Sequence, residues 1–332
     1  MEGGLCKYNT FKLLFPNGSL NKKQDYFYLY KIGNFAITVY ILNKGFINWF
    51  IFVLLSMIWG SSFIMMKEGL LHLTAFQVAA LRIVFSGIVL LPSAIRHFRD
   101  IPWNKILIIF MSGVLGSLLP AYLFCVAEIG IDGALAGTLN SLTPIFVIIT
   151  GALFFNSKTS SNKILGICIA FTGSILLLFS KGHMQESQNL VYVSFVVLAT
   201  VCYGINVNMV YKHLKNIGSL QIASIALTLN AIPALIVLYL TGYFNLPLTD
   251  SGILYSTGQA ALLGILGTAL ASIIFYKLVK SAGAIFASMV TYGIPIIANF
   301  WGMIYGEEVG LKQFGCLALI LTGVYLANRK GP

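Results

Sequence analysis

Two prolines stand inside long uncharged runs of this 332-residue chain. Pro144 lies in SLTPIFVIITGALFF and Pro295 lies in YGIPIIANFWGMIYG, and each is followed seven residues later by a glycine. A proline inside a helix removes one backbone hydrogen bond and frees a carbonyl oxygen, which is tolerated where the helix faces protein or a wet cavity. The pair therefore predicts either two hinges beside a cavity or two ordinary kinks used for helix packing.

The chain carries no recognisable enzymatic motif. It has no phosphate-binding G-x-x-x-x-G-K-[ST] loop, no H-E-x-x-H and no serine in a recognisable setting with a partnered histidine. Its five cysteines are odd in number and lack metal-ligand spacing, so we interpret them as small buried hydrophobes. We therefore expect no catalytic residues, no metal site and no cofactor.

Composition indicates a membrane protein, because 58% of the residues are hydrophobic and only 9% are charged. A helix needs roughly 20 apolar residues to cross a hydrocarbon core about 30 Å thick. The apolar runs, separated by short loops, are Ile47 to Met66, Phe76 to Ile95, Ile106 to Ala127, Ala134 to Phe155, Ile164 to Phe179, Leu190 to Tyr211, Leu220 to Leu240, Gly258 to Tyr276, Ile285 to Tyr305 and Phe314 to Leu326. We predict an all-α polytopic membrane protein with ten transmembrane helices in the lipid bilayer. The net charge of +11 does not indicate nucleic acid, because the basic residues lie between apolar runs.

The lysines and arginines predict the orientation in the membrane. With the amino terminus inside, 17 of the 21 fall in cytoplasmic segments, and only Lys67, Lys181 and Lys312 fall outside. Cytoplasmic loops collect these residues, so both termini are predicted to be cytoplasmic.

Arg82 lies within the second apolar run, where an arginine at a helix centre costs about 2.5–3.5 kcal/mol to insert. It is six residues from the outer end of the run, or about 9 Å along a helix, and so within snorkelling reach of the outer surface. Two roles remain open: an outer ion pair with Glu68 or another acid, and recognition of an anionic group on a solute.

The two halves of the chain resemble each other in sequence. An offset of 151 residues superposes Pro144 on Pro295, Gly151 on Gly302, Gly116 on Gly267, Phe124 on Phe275 and Ala136 on Ala287. Upstream, an offset of 144 superposes Trp59 on Tyr203, Gly60 on Gly204, Gln77 on Gln221 and Ala79 on Ala223. Because each half holds five helices, the halves must have opposite orientations. We predict inverted repeats at residues 45–180 and 190–330, preceded by a poorly ordered or interfacial extension at residues 1–44.

Several motifs resemble those of a known family. They are WGSSF from Trp59, LRIVFSGIVLLP from Leu81, SLTPIF from Ser141, LGICIAFTGSILLL from Leu165 and GEEVGLKQFGCLALILTGVYL from Gly306. Their order and spacing resemble the EamA-type proteins of the drug/metabolite transporter superfamily over roughly residues 45–330. Asn156 departs from the family pattern, which has a glutamate there.

The resemblance implies a carrier of small metabolites in the cell (plasma) membrane, with a cavity lined by helices one, three, four, six, eight and nine. A largely apolar pocket needs a few polar groups to hold a small-molecule solute. The candidates in those helices are Trp59, Ser62, Asn140, Tyr203, Asn206, Tyr292 and Asn299. Hydrogen bonding between helices is the alternative role for each of them.

The resemblance implies export of an amino acid or a related compound. We expect a secondary transporter that works by alternating access, since inverted repeats are typical of such proteins. A multidrug exporter is the nearer alternative, and the lack of mid-helix acids argues mildly against it. A non-transporting receptor or assembly factor is the more distant alternative. The sequence does not fix an oligomeric state.

Overall fold

The computed structural model describes residues 24–131, 133–180, 190–304 and 311–328, and the regular structure in these ranges is helical. Seven segments within them are long and apolar enough to cross a membrane: Gly45–Gly69, Ala75–Asp100, Trp103–Ala127, Leu135–Phe155, Leu190–His213, Ser219–Leu240 and Ser251–Ala282. The predicted class, an all-α polytopic membrane protein, is confirmed. The other three predicted runs fall on shorter apolar helices, Ser161–Leu177, Ala284–Ile297 and Phe314–Ala327, so the count of ten spans stays a prediction.

Fourteen α-helices follow one another in the described ranges. They are α1 (Gln24–Gly69), α2 (Ala75–His97), α3 (Trp103–Gly113), α4 (Leu119–Ala127), α5 (Gly133–Asn140), α6 (Thr143–Phe155), α7 (Ser161–Ser180), α8 (Leu190–His213), α9 (Ser219–Leu240), α10 (Ser251–Leu262), α11 (Ala271–Ala282), α12 (Ala284–Ser288), α13 (Gly293–Ile304) and α14 (Leu311–Asn328). Helix α1 begins before residue 45, where we predicted the first repeat to start. Residues 1–23 of the predicted extension lie outside the described residues.

Two π-helical segments interrupt the long apolar runs. Val114–Leu118 joins α3 to α4, and Leu263–Leu270 joins α10 to α11. A π turn shifts the backbone hydrogen bonds by one residue and often marks a functional site. The two segments carry Gly116 and Gly267, which are a matched pair in the sequence repeat.

Both repeated prolines lie in the first turn of a helix. Pro144 follows Thr143 at the start of α6, after a turn that separates this helix from α5. Pro295 is the third residue of α13, which follows a 3₁₀ turn at Met289–Tyr292. The first amides of a helix have no intrahelical partner, so proline removes no helical hydrogen bond there. The prolines therefore begin new helices within their apolar runs.

Helices α2 and α9 pack against each other through small residues. A Cβ atom added at Gly87 would lie 2.5 Å from the Ala231 Cβ and 3.0 Å from the Leu227 carbonyl oxygen. Ten residues earlier, Gln77 Nε2 donates to the carbonyl oxygen of Thr241 at 3.1 Å. The residue numbers of successive contacts fall along α2 while they rise along α9, so the two helices are antiparallel.

Helices α7 and α14 also meet through glycines. A Cβ at Gly323 would lie 2.6 Å from the carbonyl oxygen of Gly166, and a Cβ at Gly166 would lie 2.7 Å from that of Gly323. Membrane helices gain little from the hydrophobic effect between them, so close backbone packing through small residues holds them together.

Candidate functional site

A central cavity enclosing about 830 Å³ of empty space, part of it open to solvent, lies among the helices. Its described lining residues are Trp59, Ser62, Phe63, Met66, Arg82, Gly116, Ser117, Phe124, Asn140, Thr143, Tyr203, Asn206, Val207, Gly267, Thr268, Ser272, Phe275, Tyr276, Ser288, Thr291 and Ile294. Both halves of the chain contribute to it.

Aromatic rings form much of the cavity wall. The Trp59 ring packs edge-on against Phe275, with ring centroids 5.2 Å apart. The Tyr203 ring stacks on Phe124 at 6.2 Å, and Phe63 meets Phe124 edge-on at 6.0 Å. These contacts fix the rings in place, which favours a preformed apolar surface.

Five of the seven predicted solute-binding residues line the cavity, and several of them already make internal hydrogen bonds. Trp59 Nε1 donates to the carbonyl oxygen of Gly267 at 2.9 Å, inside the second π segment. Ser62 Oγ donates to Ile58 at 2.8 Å. Asn140 Oδ1 accepts from Thr143 Oγ1 at 3.1 Å. Trp59 therefore offers a solute its ring face more readily than its N–H group.

The other two cavity residues predicted from the sequence keep unused polar groups. Asn206 is only 2% exposed, and its Oδ1 is buried without a hydrogen-bond partner among the described residues. The Tyr203 ring is held by Phe124, and no hydrogen bond to its hydroxyl occurs in the described part of the chain. The Tyr203 hydroxyl is therefore available to a bound molecule, whereas Asn206 Oδ1 is an unpaired acceptor buried at the cavity wall.

Tyr292 is not among the described cavity residues. Tyr292 is fully buried, and its hydroxyl donates to the carbonyl oxygen of Ile167 at 3.0 Å, so it joins the 3₁₀ turn to α7. The Asn299 side chain lies outside the described residues. Pro144 and Pro295 are buried but do not line the cavity.

Arg82 reaches the cavity from α2, and its Nε donates to Thr268 Oγ1 at 2.7 Å. Glu68 instead accepts from the Tyr255 hydroxyl at 3.3 Å, and its carbonyl oxygen accepts from Ser256. The structure does not bring Arg82 and Glu68 together as the predicted outer ion pair. Among the described residues that line the cavity, Arg82 alone carries a formal charge.

The sequence analysis missed a set of cavity hydroxyls. They are Ser117, Thr143, Thr268, Ser272, Ser288 and Thr291. Serine and threonine often bond to their own helix in a membrane, as Ser288 and Thr291 do here, so their type alone gives little signal. The 151-residue offset was a usable signal, because it pairs Ser117 with Thr268 and Asn140 with Thr291. No cluster of metal-ligating side chains occurs in the described ranges.

Comparison with protein-family models identifies the family of this chain. The model of the EamA-like transporter family matches residues 47–179 and 190–329, which together make up most of the chain. The chain belongs to the EamA-like transporter family. It is therefore a multi-pass membrane transporter.

Relatives of this EamA-like transporter carry transporter names. An uncharacterized transporter of Archaeoglobus fulgidus is 26% identical over 289 residues, covering 85% of this chain and 99% of that protein. A probable amino-acid metabolite efflux pump of Salmonella typhimurium is 26% identical over 130 residues, covering 39% of this chain and 42% of that protein. A solved crystal structure matches with a TM-score of 0.63 at 15% identity, covering 84% of this chain and 95% of that one, which shows the fold alone.

Proposed function

We propose that this EamA-like transporter is a secondary transporter that exports a small metabolite, such as an amino acid or a related compound, by alternating access. The observation that carries the proposal is a central cavity whose lining residues are matched between the two halves. The named amino-acid efflux relatives support the solute class, although each aligns with only about two fifths of the chain.

Matched contacts around the cavity support two structural repeats, at residues 45–180 and 190–330. A Cβ at Gly60 would lie 2.7 Å from Ile297 Cβ, and one at Gly204 would lie 2.8 Å from the Phe146 carbonyl carbon. The offset of 144 relates the two glycines, and the offset of 151 relates their two partners. The same contact thus occurs twice, each time between one half and the other.

Two further contacts follow the same rule. A Cβ at Gly116 would lie 2.8 Å from Asn206 Cγ, and one at Gly267 would lie 2.9 Å from Ser62 Oγ. The aromatic contacts described above are matched in the same way, since Trp59 corresponds to Tyr203 and Phe275 to Phe124. Related halves with opposite orientations can exchange conformations and open a shared site to either side in turn.

The predicted orientation, with both termini cytoplasmic and the protein in the plasma membrane, belongs to the same proposal. Lys212 Nζ donates to the carbonyl oxygen of Phe155 at 2.8 Å, at the carboxyl end of α6. Lys280 Nζ contacts the carbonyl oxygen of Ile217. Both lysines lie in predicted cytoplasmic segments, and a cation at the carboxyl end of a helix is favourable. Each contact joins two segments that the distribution of lysines and arginines predicts to lie on the same side of the membrane.

Flux measurements on purified protein in liposomes test the transport proposal. Vesicles loaded with one unlabelled amino acid should take up the same labelled amino acid by exchange, with saturation, for at least one member of the set. Saturable uptake of unrelated cationic dyes without any metabolite exchange would instead favour the multidrug alternative. The absence of any saturable flux from folded protein would contradict transport.

We further propose that the helix starts at Pro144 and Pro295 act as hinges beside the cavity. Pro144→Ala and Pro295→Ala should insert and fold but shift the balance between inward-open and outward-open states, so flux per folded molecule should fall. If both variants keep full flux and change only thermal stability, the prolines serve packing alone.

A further inference from the structure

We propose that Arg82 binds a carboxylate group of the carried solute, and that the site selects monoanionic carboxylates over their neutral amides. This inference rests on the proposed transport function and specifies the chemical class that its cavity accepts.

The hydrogen bonding of Arg82 leaves most of its guanidinium available. A guanidinium has five N–H donors. One of them, on Nε, is bonded to Thr268 Oγ1 at 2.7 Å, and the two terminal nitrogens have no partner among the described residues. Their N–H groups form the planar fork that matches two carboxylate oxygens. The bond to Thr268 holds the side chain in position, so little further ordering is needed when an anion binds.

The charge of the cavity favours an anion with a single negative charge. The described lining residues include one cation and no acid. A solute with a net positive charge would meet the like charge of Arg82 with no lining carboxylate to offset it. A dianionic phosphate would keep one negative charge uncompensated in an apolar site, which is costly. A carboxylate matches Arg82 one to one.

The surroundings of Arg82 indicate where the rest of the solute lies. Arg82 and Tyr203 line the same cavity. Tyr203 stacks on Phe124, which in turn meets Phe63, so an aromatic surface borders the cation. A solute whose carboxylate contacts Arg82 can therefore place an apolar or aromatic body against these rings.

The repeat shows that this charge is specific to one half. The position that matches Arg82 under the 144 offset is Ala226, a buried alanine outside the cavity lining. The backbone contact is retained in both halves, since a Cβ at Gly264 would lie 2.5 Å from the Arg82 carbonyl oxygen and one at Gly113 would lie 2.9 Å from that of Ala226. Packing at this position therefore needs no arginine, and the guanidinium is an addition that one half makes to the cavity.

Two acid and amide pairs test the inference with the full chain in liposomes. The probes are phenylacetate with phenylacetamide, and 3-phenylpropanoate with 3-phenylpropanamide, each measured by competition against the exchange flux of the amino acid that the liposome assay identifies. Each acid should compete about 10- to 100-fold better than its amide, as expected for a charge-assisted hydrogen-bonded pair. Equal competition by acid and amide in both pairs would overturn the inference and leave transport intact. If no solute of any class is exchanged by folded protein, the transport proposal fails as well.

Variants separate anion binding from a structural role of Arg82. Arg82→Gln should abolish the preference for acids, and Arg82→Lys should retain part of it. Arg96→Gln, which removes an exposed arginine near the end of the same helix, should leave the preference unchanged. Thr268→Val removes the positioning hydrogen bond but keeps the charge, so it should weaken binding of acids and still favour them over amides. If Thr268→Val and Arg82→Gln both lower acids and amides equally, Arg82 only links α2 to the π segment and the inference is wrong.

Discussion

Replacing Gly323 with alanine should destabilise the protein, although alanine is the better helix former. The added Cβ would lie 2.6 Å from the carbonyl oxygen of Gly166, which is 0.8 Å short of the 3.4 Å at which ordinary contact begins. The obstacle is backbone, which cannot rotate away as a side chain can. Helices α7 and α14 must therefore move apart, and the atoms in contact between them lose about a quarter to a half of their dispersion energy.

The expected cost is about 1–3 kcal/mol, the usual range for overpacking. Gly315→Ala is the matched control on the same helix, because nothing lies within 4 Å of its added Cβ. That variant should gain about 0.5–1 kcal/mol from reduced backbone entropy. Thermal unfolding of purified protein in detergent, followed by tryptophan fluorescence, should give a lower midpoint for Gly323→Ala and a slightly higher one for Gly315→Ala. Similar midpoints for the two variants would refute direct backbone packing of α7 on α14.

Two other outcomes are expected. Gly116→Ala should lower flux per folded molecule several-fold with little change in unfolding midpoint, because its Cβ displaces the movable Asn206 side chain at the cavity. Gly258→Ala, which has open space around the added Cβ, should keep normal flux. Equal flux in the two variants would contradict a role for the contact between Gly116 and Asn206 in transport. A membrane-impermeant maleimide applied to intact cells tests the orientation. It should label Asn245→Cys, in the loop after α9, and should not label Arg99→Cys, in the loop after α2. The reverse labelling would overturn the predicted orientation.

The sequence was most informative where the signal is spread over many residues. Composition and the apolar runs were sufficient to predict the helical membrane fold, and the two offsets paired glycines that make similar contacts in the structure, such as Gly60 with Gly204. The matched pair of Gly60 and Gly204 was visible in the sequence, whereas their partners Ile297 and Phe146 became apparent only in the folded chain.

Individual side-chain partners were harder to predict, because they depend on contacts between distant residues. Arg82 bonds to Thr268, 186 residues further along the chain, and no local pattern favours that threonine over Glu68 as its partner. Tyr292 has the residue type of a cavity group, but its hydroxyl points to α7. The sequence predicts that the two prolines interrupt longer helices. In the structure they lie in the first turns of α6 and α13, because the regular helix already ends at the preceding turn.

Because Gly116 and Asn206 are in contact, the residue types that can be accepted at these two positions depend on each other. Because a Cβ at residue 116 would displace the Asn206 side chain, a larger residue there should preserve transport only when residue 206 becomes smaller, and the same holds for Gly267 and Ser62. Across relatives, therefore, these two pairs should vary together. Relatives that carry a different solute because Asn206 is replaced should also accept residues other than glycine at position 116. A change in specificity should therefore be accompanied by a change at residue 116, although the glycine there has no side chain that contacts the solute.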